Sequence, residues 1–139
     1  MGLVTSEFES LNAAKTDLVS RCPELTPALA DLHEWMEGEE GIYNVFVHII
    51  VPTLRYALAG VESGLEESLV SALPQWAAPE MRDFIMRLYL ALDDWAASPS
   101  DHIRGAVHVE LLEHDWPDLT VAQILGPAGP ALLALSRSI

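Results

Sequence analysis

The chain has 139 residues, half of them hydrophobic, with 21 acidic and 7 basic side chains and a formal net charge of −14. That length suits a single domain with its own core, and that much apolar surface excludes a disordered chain. The charge repels nucleic-acid phosphates and anionic headgroups over about a Debye length of 8–10 Å. It sets aside direct nucleic-acid or membrane binding and favours fast encounter with a basic protein.

In chain order, Ser6 with Glu9 suggests a capping box, and Phe8, Leu11, Leu18 and Val19 follow at helical spacing, so a first helix is expected over 6–20, stopped by Pro23. Thr26-Pro27 opens a second helix whose inner face carries Leu29, Leu32, Trp35 and Met36 and which Gly38 and Gly41 end. The third, over 42–59, is apolar around much of its girth through Ile42, Val45, Phe46, Ile49, Ile50, Leu54 and Leu58, which marks it as central. Pro52 inside it predicts a kink or a split. Asn44, His48, Pro52 and Arg55 interrupt its apolar run, so it reads as a core helix and not a bilayer span.

Leu65, Leu69, Val70 and Leu73 outline a fourth helix ending near Pro74. Pro79 opens a fifth that turns Met81, Phe84, Ile85, Leu88, Leu92 and Trp95 inward. Ser98-Pro99 starts a sixth running to about Asp115, Thr120 a short seventh, and a last helix carries Leu132, Leu133 and Leu135 beyond Gly126-Pro127. No segment alternates at strand spacing. The expectation is therefore an all-α single domain over 1–139, a compact bundle or short α-solenoid of about seven helices around a kinked central one. Trp76-Ala-Ala-Pro79 and Trp95-Ala-Ala-Ser-Pro99 resemble each other, but two junctions fall short of a repeat.

Little chemistry is visible. Cys22 is the only cysteine, so neither a disulfide nor a thiolate cluster can form within the chain. The N-terminal residues lack a signal-peptide pattern, and a cytoplasmic location is expected. There is no His-Glu-x-x-His, no Glu-x-x-His pair, no Gly-x-Ser-x-Gly elbow and no glycine-rich phosphate loop, so no metal, no cofactor and no enzymatic activity are expected. His108 and His114 would lie about 120° apart on a helix and cannot share an ion. Glu110 and His114, four apart, share a helical face and could pair. Glu110 sits beside an apolar stripe, where a carboxylate needs a partner such as Arg55, Arg82 or Arg87. The alternative reading is a small-molecule or catalytic pocket formed by Glu110, His114 and His48. Asp93-Asp94 and Glu66-Glu67 read as solvated faces.

Val109-Glu110-Leu111-Leu112 and the later turn Leu125-Gly126-Pro127 resemble a group of small, acidic, all-helical bacterial proteins of unassigned activity, some of which look like toxin-immunity proteins. Where such proteins commonly carry a basic residue after the Leu-Gly-Pro turn, residues 128–136 here carry none. The resemblance implies a non-enzymatic inhibitor that neutralises a basic partner. The composition points to where it would bind. Asp31, Glu34, Glu37, Glu39 and Glu40 fall within ten residues that hold no Lys or Arg, with Trp35 and Met36 beside them as candidate anchors.

Overall fold

A computed structural model of the chain describes residues 2–137, with side chains from residue 9 onward. These residues form eight helices and no strand. In chain order they are α1 (Gly2–Arg21), α2 (Thr26–Trp35), α3 (Ile42–Ala59), α4 (Glu67–Ala72) and α5 (Pro79–Ala96). There follow α6 over 101–112, α7 (Val121–Leu125) and α8 (Pro130–Arg137). The first helix begins at Gly2, four residues ahead of the expected cap at Ser6, whose side chain, like that of Phe8, lies outside the described residues.

One core runs through the bundle. The central helix α3 packs against α2, α6 and α7, while α5 packs against α1, α6 and α8. Phe46 from α3 and Trp95 from α5 meet edge to face, 5.8 Å between ring centroids. Met81, Phe84, Ile85, Leu88, Leu92 and Trp95 are all buried on α5, as their 3.6-residue spacing predicts. Buried ring donors find backbone acceptors: Tyr89 bonds to the Ile124 carbonyl at 2.5 Å and Trp116 to the Leu111 carbonyl at 3.0 Å.

Pro52 does not split α3. The helix passes it by widening into a π turn over Phe46–Ile50, in which the Val51 N–H reaches the Phe46 carbonyl five residues back. The hydrogen-bond register thus slips by one just ahead of the residue that has no N–H to give. A second π turn, Val107–Leu112, ends α6 and packs on the first. By length and composition the 18-residue window of α3, with a mean hydropathy of 1.3, would also suit a membrane span. Half of that window is buried inside the fold, the placement of a core helix.

Two long-range polar contacts hold helix ends. The Arg87 guanidinium of α5 takes both Glu24 oxygens (2.9 and 2.7 Å), Asp83 (2.9 Å) and the Arg21 carbonyl at the end of α1 (2.8 Å). Those bonds from Arg87 hold the Glu24 carboxyl below the usual carboxylate range despite its partial burial. Cys22 lies buried in the same corner, where burial pushes its thiol up to about 12. It is a packing residue and a poor nucleophile.

Asp93, expected on a solvated face, caps α8. Its Oδ1 accepts the Leu132 N–H at 2.9 Å, and Gly129 passes so close that a Cβ there would stand 2.7 Å from the carboxylate. Asp94 is exposed but pairs with Arg21. The two tryptophan junctions differ as well. Trp95 is buried and bonds to Asp17, whereas Trp76 is half exposed and lies over Gly60. No repeat unit links them.

Candidate functional site

The bases of this protein are largely spent on structure. Lys15, Arg21, Arg55, Arg87 and Arg104, five of the seven, stand in ion pairs with Glu40, Asp17 and Asp94, Asp118, Glu24 and Asp83, and Asp101. What remains at the surface is an excess of carboxylates. It is concentrated on α2 and its exit.

Helix α2 buries Ala28, Leu29 and Leu32 and turns Asp31, Glu34 and Trp35 outward. Beyond its end Glu37 and Glu39 are also exposed, and among the described residues none of these four carboxylates is in an ion pair. Like charges three apart on a helix, such as Asp31 and Glu34, cost a few tenths of a kcal/mol. Trp35, expected on the inner face, is 69% exposed instead. It sits in the last turn of a ten-residue helix, where no neighbouring element covers it. His48 of α3 meets its ring in a T-shaped contact at 5.2 Å, 75° between planes, which steadies the indole without covering it.

The exit turn is itself strained. Gly38 N–H bonds to the His33 carbonyl at 2.8 Å and Glu37 N–H to the Glu34 carbonyl at 3.1 Å, the paired bonds of a Schellman cap. The left-handed residue that this cap requires is Glu37, at φ 54, where glycine is usual. A side chain in that conformation costs about 1 kcal/mol. Glu37→Gly is therefore expected to raise stability by about 0.5–1 kcal/mol in urea unfolding. An unchanged or lower midpoint would show that the Glu37 side chain contributes as much as its backbone costs.

Glu40 is a correction. Counted by composition with the surface acids, it is 5% exposed and faces inward. Its Oε2 accepts Lys15 Nζ of α1 at 2.7 Å and lies 2.7 Å from His33 Nδ1 of α2. Because an ionised carboxylate can only accept, that ring nitrogen carries the proton. Its Oε1 is buried without a partner. Burial pushes the carboxyl up, but the bonds from Lys15 and His33 outweigh it and hold Glu40 below the usual carboxylate range. Glu40 thus ties α1 and α2 to the start of α3 and adds nothing to the exposed acidic face.

The other expected grouping does not assemble. Glu110 and His114 do not line the groove that His48 lines beside α2. The end of the helix is the physical reason: α6 stops at Leu112, so His114 lies beyond the helical face that carries Glu110, and His108 Nδ1 lies 2.7 Å from Glu113 Oε1. His114 packs on Trp116 instead, 4.7 Å between centroids. Nor does Glu110 take a base: Arg55 pairs with Asp118, Arg87 with Glu24, and Arg82 is exposed in no ion pair among the described residues.

Between α2, the π turn of α3 and the start of α4 lies a groove of about 520 Å³. Ala28, Leu32 and Ile49 belong to its apolar lining, and Asp31, Trp35, His48, Glu66, Glu67 and Ser68 complete the wall. Glu66 and Glu67 were expected only as a solvated face; no sequence signal joins them to α2, since α4 meets it only through the fold. No group of three or more His, Cys, Asp or Glu side chains among the described residues could hold a metal ion. Comparison with protein-family models, with curated proteins and with solved structures finds no match.

Proposed function

We propose that this protein is a non-enzymatic binding protein that docks a basic protein on the exposed face of α2 and its exit turn. The observation that carries the reading is the set of four exposed carboxylates, Asp31, Glu34, Glu37 and Glu39, in no ion pair among the described residues and beside an exposed tryptophan. Unpaired like charges at a surface favour one kind of encounter, and aromatic residues are enriched where binding energy concentrates. In its most concrete form the partner is a toxin whose basic site this face covers, the immunity-type role that the sequence resemblance implies.

The test is charge reversal. With a partner captured from the source organism and purified, Asp31→Lys, Glu34→Lys and Glu39→Lys combined should slow association about tenfold or more at low salt and flatten its salt dependence. The dissociation rate should change less. An association rate equal to that of the parent protein would place the docking face elsewhere.

A further inference from the structure

The groove beside the acidic face offers more than charge. Three carboxylates, Asp31, Glu66 and Glu67, come to its wall from two different helices, and no lysine or arginine lines it. The indole of Trp35 borders the same space, held by His48 yet largely open. Ser68 adds a hydroxyl oxygen that is buried and has no hydrogen-bond partner in the protein. An aromatic face, several acceptors and no donor that carries a permanent charge describe the complement of a planar cation.

We propose that this groove seats an arginine side chain of the protein partner, stacked on Trp35 with its guanidinium turned toward Asp31, Glu66 and Glu67. Charge complementarity selects a cation, and the aromatic wall selects arginine over lysine. A guanidinium is planar, weakly hydrated and able to stack while it donates in pairs to carboxylates, whereas an ammonium is a compact, strongly hydrated point. Ala28, Leu32 and Ile49 of the groove lining give the stem of such a side chain apolar surface to cover. This inference rests on the reading that a basic protein docks here, and it names the chemistry by which that protein is gripped.

The direct probe is arginine blocked at both termini, titrated against the isotopically labelled protein, with blocked lysine as the comparison. Shifts should centre on the Trp35 indole N–H and the amides of His48 and Ser68, with arginine binding more tightly than lysine. Trp35→Ala should weaken arginine binding by about threefold or more, the range expected for an exposed cation–π contact, and Glu66→Gln with Glu67→Gln should separately weaken it by about the same, the range of exposed ion pairs. All these positions are solvent-facing, so circular dichroism should show intact folds. Shifts centred away from α2 and α4, or equal affinity in the Trp35→Ala variant, overturn the proposal. The purified partner separates it from the broader reading. If reversal at Asp31, Glu34 and Glu39 weakens the complex while Trp35→Ala and the Glu66, Glu67 pair do not, the docking face stands and the arginine seat falls. If blocked arginine binds as described but reversal at Glu34 and Glu39 alone, neither of which lines the groove, leaves the partner untouched, the seat stands without that face.

Discussion

Arg87→Ala should lower the stability of this protein by about 3 kcal/mol, a fall of about 10 °C in Tm for a domain of this size. The guanidinium makes a two-pronged pair with Glu24, a third bond to Asp83 and a fourth to the carbonyl of Arg21. Asp83 is mostly exposed, so that bond contributes little. The cost comes from the other groups. Removing the cation leaves a half-buried Glu24 carboxylate without its partner and strips a helix-end carbonyl of α1 of its donor, while the cation's stacking over Phe84, 5.7 Å from the ring centre, is also lost. Arg87→Lys should recover less than half, because one ammonium cannot span both Glu24 oxygens and the carbonyl together. Thermal unfolding of the two variants checks both statements. A loss below 1 kcal/mol in the alanine variant would mean that the α1–α5 corner is held by its apolar contacts alone.

The architecture is legible wherever residues act through their neighbours in the chain. Gly41 and Gly60 bracket α3, and the structure places that helix over Ile42–Ala59, the expected bounds. Pro79 at a first helical position and the buried stripe of α5 follow from local rules in the same way. Features set by contacts distant in sequence are not legible. Glu40 sits among surface acids in the sequence, yet it is buried and bonded to His33 and to Lys15, the latter 25 residues earlier. Asp93 caps a helix that starts far along the chain, accepting the N–H of Leu132, 39 residues on. The π turns leave no periodic trace, since the apolar pattern of α3 stays helical while its hydrogen bonds shift by one. The expected pairing of Glu110 with His114 fails for another reason, the end of α6 at Leu112. Trp35 keeps helical spacing from Leu32, and its exposure depends on no element packing over the last turn of α2. The groove combines both limits: Asp31 and Trp35 were visible as neighbours, whereas Glu66, Glu67 and His48 reach them only through the fold.

Glu40→Gln should be destabilising by about 2–3 kcal/mol at pH 7, and the loss should shrink as the solution is acidified. The amide keeps the shape but not the charge, so Lys15, whose side chain is only 21% exposed, faces a neutral acceptor. One of the amide's ends must also occupy the place of Oε1, where no protein group offers a partner. The pH dependence has a definite sign. The folded-state carboxyl titrates below its ordinary value, so the stability that its charge contributes is fully present above the unfolded value of about 4.3 and is lost as pH falls through the folded one. Wild type and variant share every other titrating group, so their difference in unfolding free energy isolates this carboxylate against the 20 remaining acidic residues. Urea titrations at pH 7 and in acid should show that difference narrowing as pH falls. A gap that stays constant with pH would mean that shape, not charge, holds Glu40 in place. The outcome reaches the proposed docking face as well, because Glu40 closes the turn that carries Glu37 and Glu39.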